Sequence, residues 1–185
     1  MPQKTLLLVT VGSPPSALVN ALQEPLATHL GVSAAVSRMA LSSPAYAFNK
    51  DRSQYHCNAI MRRLGTVLDE ARRDAGPGDG RPDLVMGVTD ADLFEPDSPF
   101  VFGQADRESR VAVMSLFRLR QGAEGEQLRR RVQVEAVHQA GHLIGLSYCE
   151  DSRCVMFFPQ SAQDIDRKSL GPCNVCRNEL NRLNR

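Results

Sequence analysis

His138 and His142 stand four residues apart in the run Val137-His138-Gln139-Ala140-Gly141-His142-Leu143-Ile144-Gly145-Leu146-Ser147-Tyr148-Cys149. On a helix this spacing puts both imidazoles on one face, where they can share a metal ion. The chain has only four histidines, which weighs against the bland alternative of two surface histidines meeting by chance. Four of the five cysteines crowd into the next stretch, as Cys149, Cys154, Cys173 and Cys176, spaced C-x4-C-x18-C-x2-C. Two close pairs of thiolates suit tetrahedral zinc with Zn–S bonds of about 2.3 Å. Two disulfides or four unrelated core cysteines are the alternatives, and the clustering favours zinc. In small zinc-finger peptides such binding is worth an apparent ~10–16 kcal/mol, against ~5–15 kcal/mol for the stability of a whole domain. This zinc is therefore expected to decide whether the C-terminal part folds. Cys57, alone on its helical stripe, reads as a small buried apolar residue.

Gly145 can end the histidine-bearing helix by taking a left-handed conformation. A continuous helix would carry residue 148 about 15 Å along the axis from His138, whereas a turn at Gly145 lets Tyr148 swing back toward the same metal. The spacing is that of the metzincin pattern His-Glu-x-x-His-x-x-Gly-x-x-His, which is followed by a turn with a methionine beneath the site. Met156, in Cys154-Val155-Met156, stands where that methionine belongs. The run from His138 through Cys176 resembles an archaemetzincin, a metzincin family in which a cysteine directly follows the third histidine and begins a four-cysteine zinc site. The similarity extends to Arg52-Ser53-Gln54-Tyr55, Thr89-Asp90-Ala91-Asp92-Leu93-Phe94 and Val101-Phe102-Gly103. It implies an α/β, metzincin-like single domain with a twisted mixed β-sheet, an active-site helix, a methionine turn at Met156, a four-Cys zinc site and a C-terminal helix. It also implies a zinc-dependent peptidase with one catalytic and one structural zinc ion.

Two residues depart from the family. Gln139 stands in place of the general-base glutamate, and an amide cannot take a proton from zinc-bound water, although it can hydrogen-bond to it. General acid–base help is worth ~10²–10⁴-fold in rate. Tyr148 stands in place of the third histidine, and its phenol, with a reference pKa near 10, must lose a proton to become a strong ligand. The expectation is a degenerate peptidase site, inactive or very weak, with the sulfur-bound zinc kept and a peptide or protein segment as the partner in the groove. The alternative is a working metallopeptidase whose zinc is held by His138, His142 and Tyr148. Glu135 and Glu150, the nearest other carboxylates, are expected to be solvated.

Helix and strand alternate in the first half of the chain, which reads as α/β with a mixed sheet. Strands are expected at Lys4–Val11, Ser33–Met39 and Asp83–Thr89, with Val101–Gly103 and Val111–Ser115 joined as a hairpin. Helices are expected at Pro15–His29, Gln54–Asp74, about Glu126–Leu146 and Asn174–Leu183. One domain spans 1–185, with an N-terminal α/β part to about 146 and a zinc-bearing part beyond it. The 185 residues are 42% hydrophobic, which excludes disorder, and the net charge of +1 gives no field to hold a polyanion. Arg129, Arg130, Arg131, Arg177, Arg182 and Arg185 lack an aromatic stacking platform, read as solvated helix faces, and no nucleic acid is expected. No apolar run is long enough for a membrane span, and the run Leu6 to Val11 reads as a buried strand rather than a signal peptide. Paired Cys-x-x-Cys thiols point to a reducing, cytoplasmic setting.

Overall fold

In the computed structural model, which describes residues 3–78 and 80–185, β1 (Thr5–Val11) and β5 (Leu84–Thr89) form the middle of a five-stranded sheet. The sheet is completed by β2 (Ser33–Val36), β8 (Val111–Ser115) and β7 (Gly103–Asp106) in the order β2-β1-β5-β8-β7. All neighbours pair in parallel except β7, which lies antiparallel to β8 at the edge. A second, three-stranded sheet is built from β3 (Phe48–Asn49), β4 (Gln54–His56) and β6 (Leu93–Phe94).

Alternation along the central strands explains why both faces are covered. Leu6, Leu8, Met86, Val88, Ala112 and Met114 point to one side, where they meet α2 (Gln23–Leu30) and α4 (Gly125–Ile144). Val9, Val11, Val85, Val111 and Val113 point to the other, against α3 (Cys57–Asp74) with its stripe Ile60, Met61, Leu64, Val67 and Leu68. Strands buried on both faces read as continuous apolar runs, as Leu6 to Val11 does. Gly87 makes room for α3, because a Cβ there would lie 2.5 Å from Leu64 Cδ1.

Several expected boundaries move, each for a local reason. The helix expected over Pro15–His29 is two helices, α1 (Ser16–Asn20) and α2. Pro25 has no N–H to give to the carbonyl four residues back, and the freed Ala21 oxygen accepts from Gln133 Nε2 at 2.9 Å. The helix expected from Gln54 starts at Cys57, since residues 54–56 pair as β4 and the His56 ring nitrogen caps the Asn58 N–H at 3.2 Å. The strand expected to Met39 ends at Val36. The hairpin arm expected at Val101–Gly103 begins at Gly103, while Val101 bridges Leu93 of the small sheet instead. The segment between Gly145 and Asn174, expected to be irregular, holds one short helix, α5 (Ala162–Arg167), capped by Ser161 and Asp164, and α6 (Asn174–Leu183) follows it.

Arg131 is not on a solvated face. It is buried, pairs with both oxygens of Asp166 at 2.8 and 2.7 Å and donates to the Leu119 and Gln121 carbonyls, tying α4 to α5. Removing one partner of a buried pair strands the other charge. Asp166→Ala is therefore expected to lower stability by about 3 kcal/mol, read as a shift of the urea midpoint with an unchanged slope.

Candidate metal and peptide site

Helix α4 is buried from Arg131 to Ala140 and again at Leu143 and Ile144, because the sheet covers one side and the Cys149–Gly171 segment covers the other. Gly145 ends it with φ 111° and ψ 7°, and the Leu146 N–H returns to the Gly141 carbonyl at 2.9 Å. Two constraints require glycine here: the left-handed backbone and the Arg107 guanidinium, which a Cβ would approach to 2.9 Å. Beyond the turn, the Cys149 N–H donates to the Met156 carbonyl at 3.0 Å, so residues 149–156 close a loop under the helix. Met156 is fully buried against Gly141, where a Cβ would come within 2.5 Å of its sulfur.

The two imidazoles meet across this turn. His138 Nε2 and His142 Nε2 are 3.3 Å apart. Each ring is oriented through its other nitrogen: His138 Nδ1 lies 2.8 Å from the Val155 carbonyl and His142 Nδ1 lies 3.0 Å from the Leu146 carbonyl. A carbonyl only accepts, so the tautomer with the proton on Nδ1 satisfies both carbonyl contacts and turns the two Nε2 lone pairs toward each other. Two Zn–N bonds of about 2.0–2.1 Å in a tetrahedral site place their nitrogens about 3.3–3.4 Å apart, which is the separation observed. The Tyr148 ring lies 4.4 Å from the His142 ring and 5.9 Å from the His138 ring, centroid to centroid, and is 61% exposed. Burial and the nearby Glu135 push its phenol above the ordinary tyrosine range, which opposes a phenolate there.

The four sulfurs of Cys149, Cys154, Cys173 and Cys176 lie within 4.8 Å of one another. The Cys149 and Cys173 sulfurs are 3.8 Å apart, the edge of a tetrahedron with bonds of about 2.3 Å. Backbone N–H groups of Met156 and Cys173 donate to the Cys154 sulfur at 3.4 and 3.3 Å, as they would to a thiolate ligand. The donor set therefore fits zinc. All five cysteines are free, including Cys57, which is buried against α3's neighbours.

Glu135 is not solvated as expected. It is fully buried, one turn before Gln139, and accepts from Gln139 Nε2 at 2.7 Å. Burial pushes its carboxyl up to about 7, against the pull of the Lys168 charge and the Gln139 hydrogen bond. Lys168, also buried, places its ammonium 3.0 Å from the Val155 carbonyl and 3.3 Å from His138 Nδ1. Burial lowers its pKa to about 8 although Glu135 raises it. Burial, then Lys168, then His142 hold His138 well below the usual histidine range, while burial alone leads the smaller drop at His142. Glu135 had a readable signal, since positions 135, 138, 139 and 142 share one helical face. Lys168 had none, lying thirty residues from His138. Glu150 is exposed and reaches nothing in the site.

A groove runs past the histidine pair. On one side a cavity of about 290 Å³ is walled by Phe100, Phe102, Phe158 and Pro159 and floored by Glu135, His138 and Gln139. On the other a cleft of about 420 Å³ lies between Tyr148, Arg107 and the edge strand β7. Gly103 of β7 lets Gln139 approach, because a Cβ there would sit 2.9 Å from its amide nitrogen.

Residues 34–182 match the family model described as Peptidase family M54. The archaemetzincin of Methanopyrus kandleri is 35% identical over 90% of this chain and 88% of its own. This chain belongs to the archaemetzincin family. A zinc-dependent peptidase from Methanocorpusculum labreanum superposes with a TM-score of 0.82 at 27% identity, covering 95% of this chain and 99% of that one. The archaemetzincin of Archaeoglobus fulgidus, crystallised with malonate, superposes with a TM-score of 0.77 at 32% identity, covering 94% and 99%. In this chain that fold brings the four-cysteine cluster and the histidine pair close together in sequence and in space.

In protein whose histidine pair is free of metal, both imidazoles are expected to take up a proton only at lower pH than an unperturbed histidine, as read by long-range ¹H–¹⁵N correlation. The unfolded chain binds these histidine protons first, so the depressed pKa values make stability fall as pH drops below about 6.5. Glu135 contributes the opposite slope, because its folded carboxyl takes up a proton near 7, before the unfolded one does. Glu135→Gln should therefore lose stability more steeply on acidification than the parent chain, measured by denaturant melts across that range.

Proposed function

We propose that this archaemetzincin is a hydrolytically impaired member of its family. It keeps a structural zinc on Cys149, Cys154, Cys173 and Cys176, retains the groove for a peptide segment, and splits peptides weakly or not at all. The observation that carries the reading is the Gln139–Glu135 hydrogen bond of 2.7 Å. It commits one N–H of the Gln139 amide to Glu135 and leaves the amide oxygen and the second N–H, neither of which takes a proton from water. Glu135 does not replace the missing base, since one of its oxygens is held by Gln139 and the other is sealed from solvent.

His138 and His142 would hold a second metal, with Met156 packed beneath them in the place of a methionine turn. Zinc there supplies Lewis acidity toward a carbonyl oxygen and lowers the pKa of bound water. With two imidazoles and a phenol whose pKa is raised, that site binds weakly. The free thiols fit a reducing, cytoplasmic setting, and no helix of the described residues is long and apolar enough to cross a membrane. The geometry of the histidine pair favours a second reading, a functional peptidase using His138, His142 and Tyr148.

Elemental analysis of protein purified without added zinc separates the two. The impaired site is expected to give about one zinc per chain and no turnover of ordinary peptides. About two zincs per chain, with hydrolysis lost on His142→Ala, would establish the second reading. Gln139→Glu alone should restore little activity, whereas Gln139→Glu with Tyr148→His should restore metal binding and measurable hydrolysis. Full activity from the single change would show that Tyr148 is an adequate ligand.

A further inference from the structure

Lys168 is only 1% exposed, which seals its side chain in the interior beside α4. An ammonium brings three donors, and this one has a single acceptor, the Val155 carbonyl at 3.0 Å. Its other close neighbour, His138 Nδ1 at 3.3 Å, faces the same carbonyl as a donor. Among the described residues no carboxylate comes within 4.0 Å of it. Burying a charge is costly unless an opposite charge offsets it, so the position of Lys168 calls for a counter-charge other than a direct ion pair.

The chain brings one to the same place. The segment that carries Lys168 runs beside the one that carries Cys154: the Ser169 N–H donates to the Arg153 carbonyl at 2.6 Å and the Val155 N–H to the Gly171 carbonyl at 3.4 Å. The carbonyl that takes the ammonium belongs to the residue directly after Cys154. Cys154 is also the sulfur that accepts from the Met156 and Cys173 N–H groups. Four thiolates on one zinc ion leave the centre with a net negative charge, and two backbone N–H groups do not neutralise it. Charge at Glu135, Cys154 and Asp164 raises the Lys168 pKa against the larger effect of burial. On its other side the ammonium stands against an imidazole that would carry the second metal, where like charges repel. His142 is less affected, since its Nδ1 rests on the Leu146 carbonyl and Lys168 acts on it only as the smallest of three influences.

We propose that Lys168 is the electrostatic link between the two metal positions: its ammonium is the counter-cation of the sulfur-bound zinc, and the same charge opposes a metal on His138 and His142. Retention of metal at one site and reluctance at the other then have a common cause. The proposal rests on the reading of the cysteines as the holders of zinc and of the histidines as a weak pair, and its test separates the two.

The full-length chain, purified with its zinc, is compared with Lys168→Met and Lys168→Arg. Zinc release is followed with a chromogenic chelator. Cobalt(II) is then titrated into the zinc-loaded chains and read by its visible bands, without the sulfur-to-cobalt charge transfer that a thiolate site gives. Lys168→Met is expected to release zinc at least about tenfold faster and to bind cobalt at the histidines at least about tenfold more tightly. Lys168→Arg, which keeps the charge, should follow the parent chain at both sites. Opposite changes at the two sites are the signature, because a packing defect loosens both. A folded Lys168→Met chain that loosens both metals, or that changes neither, would overturn the proposal. Should Lys168→Met fail to fold, the Cys149→His background decides. It has one thiolate fewer, so Lys168→Met is expected to fold and keep zinc there, and failure in that background too would overturn the proposal. A parent chain with no zinc on its sulfurs would remove the structural-zinc reading itself, whereas zinc held there but indifferent to Lys168→Met removes only the link.

Discussion

Four sulfur atoms gathered within 4.8 Å, three of them on residues outside any helix or strand, are the constraint on which the site depends. Residues 145–156 have few other anchors: the Gly145 turn, the Cys149–Met156 hydrogen bond and the packing of Val155 and Met156 under α4. The same short stretch supplies the Val155 carbonyl that orients His138, the Tyr148 ring that flanks both imidazoles and the methionine beneath them. A metal on the sulfurs would crosslink Cys149 and Cys154 to Cys173, just before α6, and Cys176 on it, and its binding free energy would be folding free energy for that segment. A metal on the sulfurs would thus help to position the histidine pair as well.

The charge pattern around α4 explains why position 139 is sensitive to its neighbour. Glu135 and Lys168 are both buried, each with a pKa moved toward its neutral form, and each pulled back by the other. An amide at 139 meets this arrangement by donating to Glu135. A carboxylate in its place would stand at hydrogen-bond distance from a second, buried carboxyl, and the two would have to share a proton. The pair would then titrate as one unit, so the basicity of a glutamate at 139 would be set by Glu135 as much as by the metal. Gln139 removes that conflict and the proton acceptor together.

Much of the site was legible because its chemistry is local in the chain. The four cysteines, the i, i+4 histidines and the helix-ending Gly145 are spacing signals, and the folded chain brings each group together as spaced. The core strands were legible for a similar reason, since runs such as Leu6–Val11 are buried on both faces. What could not be read depends on distant partners. The break between α1 and α2 is supported by Gln133, on a helix far along the chain. Lys168 enters the site from beyond α5. Arg131 looks like one of three solvated arginines until Asp166 is placed beside it. Glu135 was legible in position but not in burial, because the covering Cys149–Gly171 segment follows no periodic pattern.

On the proposed reading, Gln139 and Tyr148 act on the same reaction from different sides, and their effects overlap rather than add. Loss of the base matters only while a metal holds water to be activated, and loss of the third imidazole lowers how often that metal is there. A chain that had lost the base first would experience little further loss from a weaker ligand at 148, and the converse holds equally. The substitutions therefore belong together as one functional state. The retained features are those that do not need turnover: the sulfur cluster, the oriented imidazoles and the phenylalanine-walled cavity. On that reading, selection for a folded groove without selection for hydrolysis accounts for keeping all of these with an amide at 139 and a phenol at 148.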